Sequence, residues 1–163
     1  AFVLGKVNEL LIPFIQTRED EGDRLKAYFL ERIDVLEEKI TEIKKYKEIV
    51  VENYKEKLME RLDKIRGTID FKDEDILKEI LLFTDKSDIS EEISRLDSHM
   101  EQLRKEMENN DTAVGKKMDF ILQEIFRELN TTGVKCNLYD ISKLIVECKN
   151  ELEKIREQAM NIE

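Results

Sequence analysis

Between Asp23 and Arg66 the chain carries neither Gly nor Pro, and apolar residues recur at Phe29, Ile33, Leu36, Ile40, Ile43, Val50, Tyr54, Leu58, Leu62 and Ile65. Steps alternating between four and three place these side chains along one seam of a long helix, in the manner of a coiled coil. The frame stumbles at Lys47, which occupies a seam position, and again before Leu58. The pattern therefore fits either one kinked helix or two helices joined near residues 44–48. Upstream, residues 3–16 read as a short apolar helix interrupted by Pro13, and Thr17 to Gly22 as a polar turn.

Gly67 is a plausible stop, because glycine accepts the left-handed conformation cheaply. A further helix starts near Asp73 and carries Ile76, Leu77, Ile80 and Leu81. Ser90 is placed to cap the next one, with Ile89 stapling against Ile93 or Ser94. Its inner face is Ile93, Leu96, Met100, Leu103 and Met107, and residues 109–114 form a loop by composition. From Gly115 to Leu129 the apolar face is Met118, Ile121, Leu122, Ile125 and Phe126, with Asn130 to Gly133 as terminator. A last helix runs from about Asp140 to Asn161 on Ile141, Leu144, Ile145, Cys148, Leu152 and Ile155. No β-alternation survives anywhere. The expected fold is all-α: an antiparallel helical assembly with a long helical hairpin or coiled-coil-like arm. Residues 1–70 form the arm and 71–163 the C-terminal helical domain.

Composition sharpens this picture. Charged residues make up 40% of the 163, against five Gly, one Pro and no Trp, which suits long amphipathic helices and argues against a sandwich, a barrel or a disulfide knot. No apolar run approaches the ~18 residues of a membrane span, so no membrane partner is expected. The chain begins with Ala rather than Met and shows no leader sequence, which suggests a fragment or a processed chain rather than a secreted one. Cys136 and Cys148 lack zinc-ligand spacing, which agrees with a cytoplasmic location and with Cys148 packing as a small hydrophobe. Net charge is −10, of which residues 71–163 carry −8. Such a surface does not attract a phosphate backbone unless carboxylate-bound divalent ions mediate the contact.

Two constellations can carry chemistry. Asp119, Gln123, Glu124, Arg127 and Glu128 form a polar stripe at helical spacing. Carboxylates and an amide are hard ligands for Mg²⁺ or Mn²⁺, and a nearby Arg can steady a phosphate. The plainer alternative is a solvated face of Glu–Arg pairs. Glu91, Arg95 and His99 stand at i, i+4 and i+8, beside Glu92 and Ser98. His99 is the only imidazole, fit for proton transfer or for a single nitrogen ligand, or simply for an interfacial hydrogen bond. No phosphate loop, GxSxG elbow or Cys–His pair is present, and nothing points to a small-molecule cofactor.

The segments Thr84 to His99 and Gly115 to Thr131, with Lys135 and the ending Lys154 to Glu163, resemble the C-terminal domain of the YicC/YloC endoribonuclease family. Arg18-Glu-Asp-Glu-Gly22 followed by Leu25 resembles the family's middle segment. The resemblance implies that Ala1 is internal to a chain about twice as long, with an N-terminal domain not included here. It also implies divalent-metal-dependent cleavage of RNA by ring-like homo-oligomers. Glu91, Arg95, His99, Asp119, Gln123, Glu124, Arg127, Glu128 and Lys135 then fall on the family's polar positions. On this expectation Asp119, Glu124 and Glu128 hold Mn²⁺ or Mg²⁺, His99 moves a proton oriented by Glu91, and Arg95, Arg127 and Lys135 balance phosphate charge. Gln123, Arg127 and Lys135 contact RNA, and the chain alone cuts weakly or not at all. The competing expectation is a helical oligomerisation scaffold without catalysis.

Overall fold

A computed structural model describes residues 2–65, 72–108, 114–136 and 138–160. They form five helices and no strand: α1 (Phe2–Ile65), α2 (Asp73–Ser87), α3 (Ser90–Glu108), α4 (Val114–Cys136) and α5 (Tyr139–Ala159). The stop at Gly67, the helix end at Asn161 and all of the expected loop 109–114 except Val114 lie outside the described residues, and Val114 begins α4 instead of closing the loop.

At 1.5 Å per residue the 64 residues of α1 span about 96 Å. The helix runs through Pro13 and through the expected turn at Thr17 to Gly22 without a break. A single proline removes one backbone bond, and a helix already nucleated on both sides propagates past that loss. The Thr17 hydroxyl donates to the Pro13 carbonyl at 2.8 Å, and Gln16 donates to Asp20 at 3.2 Å one turn on. Of the two readings near residues 44–48, one helix or two, the structure has one: α1 continues through them. Lys47 occupies its seam position because its ammonium reaches the start of α3, bonding the Ser90 hydroxyl and lying 3.9 Å from Asp88. The frame stumble thus marks an ionic anchor between two helices.

Phe29, Ile33, Leu36, Ile40, Ile43 and Val50 form the buried stripe of α1. The helix packs on both α3 and α5, while α4 packs on α3 and α5 from the other side, closing a four-helix bundle. Ion pairs show the antiparallel register. Arg104 of α3 bonds Glu37 (2.7–2.8 Å) and Asp34, and Lys44 bonds Asp97 at 2.6 Å. On the α5 side, Arg32 meets Glu151 at 3.1 Å and Lys39 meets Glu147 at 2.6 Å. Burial pushes the Glu151 carboxyl up, but Lys154 and Arg32 outweigh it and hold the group below its ordinary range. One hydrophobic core draws on α1, α3, α4 and α5 together.

The short helix α2 sits on α1 outside this bundle, through a stacked Tyr54–Phe83 pair (3.6 Å between centroids) and a Tyr54 hydroxyl bond to Glu79 at 2.9 Å. Asp73, Glu74 and Asp75 complement the positive end of its dipole. Its Leu77 and Leu81 face solvent. At the start of α3 the capping oxygen comes from Asp88, which accepts the Ser90 backbone N–H at 2.9 Å and also the Ser90 hydroxyl, so Ser90 is the capped residue and not the cap. Ile89 is fully buried, and Ile93 packs against the core.

Helix α4 extends seven residues past its expected end at Leu129. Asn130 to Gly133 does not terminate it, because Thr131 and Thr132 donate their hydroxyls back to the carbonyls of Arg127 and Glu128 (3.2 and 2.8 Å) and stay helical. Gly133 serves the close approach of α5: a Cβ there would stand 3.1 Å from Ile145 Cδ1. Phe126 does not point inward; it is 37% exposed, with the Lys149 ammonium 5.0 Å from its ring centroid.

Cys136 and Cys148 are both free and buried, and burial pushes their thiols up to about 11 and about 12. A thiol held protonated is a poor nucleophile. Ellman's reagent at pH 8 should therefore react at least about 100-fold more slowly with the folded chain than with the chain in guanidinium, where both thiols titrate. Equal rates in the two states would show that α4 and α5 do not close over these side chains.

Candidate metal centre

The polar groups of α3 and α4 meet across one antiparallel seam. On α3, Glu92, Arg95 and His99 stand at i, i+3 and i+7; on α4, Glu124, Glu128 and Lys135 stand at i, i+4 and i+11. These spacings keep each set on one helix face, beside the apolar stripe that packs the two helices together. Antiparallel pairing then aligns them in three layers.

In the first layer, a ring nitrogen of His99 and carboxylate oxygens of Glu124 and Glu128 all lie within 4.8 Å of one another. Two ligands on opposite sides of a small divalent ion at ~2.1 Å stand ~4.2 Å apart, so a modest side-chain adjustment closes this triad on a metal. It is the sole group of three or more His, Cys, Asp or Glu ligands so arranged among the described residues. His99 Nδ1 is buried without a hydrogen-bond partner. A buried imidazole nitrogen left unsatisfied is costly, and a coordinating ion is one means of satisfying it. One imidazole with two carboxylates suits Mn²⁺ and is compatible with Mg²⁺, which more often takes oxygen alone. The residues therefore fit a divalent ion.

In the second layer Arg95 donates to Glu128 at 3.3 Å and also bonds Glu91. Glu128, its side chain only 4% exposed, would otherwise hold a buried charge unpaired. The bond to Glu128, aided by Glu91, raises the Arg95 guanidinium above its ordinary value. The third layer is Glu92 with Lys135, 2.7 Å apart, where Lys135 also donates to the Asp88 carbonyl at 3.0 Å. Glu92 is buried, and its second carboxylate oxygen has no partner.

The other residues selected by sequence lie elsewhere. Asp119 accepts from Arg156 of α5 at 3.0 Å and from Gln123 at 2.7 Å, so this pair faces α5 and stands apart from the triad. Asp119 and Glu124 are five residues apart, which turns them about 140° from each other around the helix. Arg127 is exposed, 3.9 Å from Glu124. Glu91 is bonded to Arg95 and not to His99. Lys135 is engaged by Glu92 and Asp88. Sequence reasoning passed over Glu92 as a site residue, although its spacing to Arg95 and His99 is the signal that finds it.

The family description "Endoribonuclease YicC-like, C-terminal" matches residues 43–163. A protein of Clostridioides difficile named probable endoribonuclease YicC is 43% identical over 158 residues, covering 96% of this chain and 54% of that protein. A protein of the same name from Haemophilus influenzae is 30% identical over 161 residues, covering 99% of this chain and 55% of that protein. The chain thus spans about half the length of the curated relatives it matches.

Proposed function

Because the chain belongs to the YicC-like endoribonuclease family, we propose that it is the C-terminal part of a divalent-metal-dependent endoribonuclease that hydrolyses RNA. The observation that carries this reading is the convergence of His99, Glu124 and Glu128 from two helices around one point. These three residues would hold Mn²⁺ or Mg²⁺. When bound, such an ion polarises a phosphodiester and lowers the pKa of a water or ribose hydroxyl.

The chain's own groups supply the rest. Arg95 balances the Glu128 charge and is itself held in place by Glu91. Its second carboxylate partner leaves it free to swing toward a phosphate while remaining paired. Arg127 is exposed 3.9 Å from Glu124, and in this reading it meets a phosphate oxygen. The Glu92–Lys135 pair ties the end of α4 to the α2–α3 corner, and in this reading Lys135 sets the position of the site more than it contacts RNA.

We also propose homo-oligomeric assembly in the cytoplasm. Leu11, Ile12, Phe14 and Ile15 on α1, and Leu77, Leu81 and Leu82 on α2, support association, since a monomer leaves them in water. Two free buried thiols suit a reducing compartment. Among the described residues no helix is long and apolar enough to cross a membrane.

The test is cleavage of a fluorescent hairpin RNA in Mn²⁺ or EDTA, comparing this chain with a form as long as its relatives. The long form should cut only with metal, and this acidic chain should cut weakly or not at all. Cutting that persists in EDTA, or that is unaffected by Glu124→Gln, overturns the metal reading. No cutting by either folded form favours a scaffold.

A further inference from the structure

Away from the triad, the C-terminal part of α1, the end of α2 and the α4–α5 turn enclose an open cleft of about 280 Å³. Its walls include Asn53, Tyr54, Lys57 and Arg61 of α1, Phe83 of α2 and Cys136 of α4. Three features of this cleft are unusual for the molecule. Asn53, Lys57 and Arg61 stand at i, i+4 and i+8, which brings two cations side by side on the cleft-facing surface. Neither Lys57 nor Arg61 forms an ion pair with a described residue, whereas Arg32, Lys39, Lys44 and Lys47 of the same helix each reach a carboxylate of another helix or of the α2–α3 corner. Residues 44–64 carry seven basic and five acidic side chains, a net of +2 in a chain of net −10. The third feature is aromatic: the Tyr54–Phe83 stack lines the same cleft, fixed in place by the Tyr54 bond to Glu79.

We infer that this cleft is a subsite for one nucleotide of a single-stranded RNA, with Lys57 and Arg61 on a phosphate and the Tyr54–Phe83 pair offering its edge and outer face to a base. Cation pairs that track a phosphate beside an aromatic platform are the general means of holding single strands without sequence preference. The Asn53 amide adds a donor and an acceptor for a base edge or a ribose hydroxyl. Cys136 places the subsite relative to the triad. It lies eight residues beyond Glu128 on α4, about 12 Å along the helix axis and about 80° around it. The inference rests on the endoribonuclease reading for the identity of the ligand, and it adds where the strand is held away from the bond that is cut.

The experiment uses the whole chain and a fluorescein-labelled RNA heptamer containing 4-thiouridine, in EDTA, so that binding is read without cleavage. Fluorescence anisotropy should show the Lys57→Ala/Arg61→Ala variant binding at least about tenfold more weakly than wild type. Its log–log salt slope should be shallower by roughly 1.4, as expected for two lost phosphate-facing cations on a single strand. The charge-keeping Lys57→Arg/Arg61→Lys variant should bind like wild type, and ultraviolet cross-links should map to Tyr54 or Phe83. Unchanged affinity in the double alanine variant, cross-links elsewhere, no binding by wild type, or inorganic tripolyphosphate competing as well as RNA would each overturn the subsite. The two proposals fail differently. A wrong metal centre leaves RNA bound in the cleft but uncut by the long form in Mn²⁺, whereas a wrong subsite leaves cutting intact and affinity untouched by the Lys57 and Arg61 changes.

Discussion

His99→Ala is expected to lower Mn²⁺-dependent RNA cleavage by the long form of the protein more than about 100-fold. Changes to groups that merely orient metal ligands commonly cost 10–100-fold, and loss of the nitrogen ligand itself should exceed that. The same change should leave the fold in place, because His99 is only half-buried and its Nδ1 contributes no hydrogen bond to the bundle. Removing a buried, unsatisfied donor or acceptor can even relieve a cost. Single-turnover cleavage and a melting curve on the same preparation separate the two effects. A variant that melts like wild type and cuts like wild type would remove His99 from the chemistry.

Leu96→Ala should destabilise the chain by about 3 kcal/mol and lower its melting temperature by roughly 6–12 °C. Leu96 is 0% exposed on α3, which packs on both α1 and α4, so the cavity opens at the centre of the bundle where neighbours cannot collapse into it. The matched control is Leu81→Ala. Leu81 is 56% exposed on α2, and its truncation in the monomeric chain should change stability by no more than about 0.5 kcal/mol. Differential scanning calorimetry at low protein concentration measures both. Equal losses at the two positions would mean that α2 is packed in solution as firmly as α3.

The helices themselves were legible because burial and periodicity coincide. The steps of four and three from Phe29 to Ile43 mark residues that are all buried, and Leu96, Met100, Leu103 and Met107 do the same for α3. Boundaries were less legible wherever a local breaker met a tertiary partner. Gly133 looks like a stop until Ile145 is seen against it, and Lys47 looks like a fault until Ser90 and Asp88 are placed opposite. Pro13 is a third case, in which helix on both sides overrides a local preference.

For the candidate site, spacing within one helix identified faces but could not say which face meets which neighbour. Asp119 and Glu124 look equally good as ligands in sequence. Only the placement of α5 assigns Asp119 to Arg156, and only the placement of α3 brings His99 to Glu124 and Glu128. Glu91 and Glu92 pose the same choice one residue apart: Glu91 is exposed beside Arg95, while Glu92 turns inward to Lys135. Pairing between helices is long-range information, which a single helical period does not contain.

Titration of the chain with Mn²⁺, followed by the loss of the free-ion electron paramagnetic resonance signal, addresses the triad most directly and needs no RNA. One Mn²⁺ per chain should bind in the wild type. Glu128→Gln, which keeps an acceptor for Arg95 but removes the charge, should weaken binding at least about tenfold, and Asp119→Asn should leave it unchanged. Wild-type affinity in Glu128→Gln, or a loss confined to Asp119→Asn, would contradict a metal centre built from His99, Glu124 and Glu128.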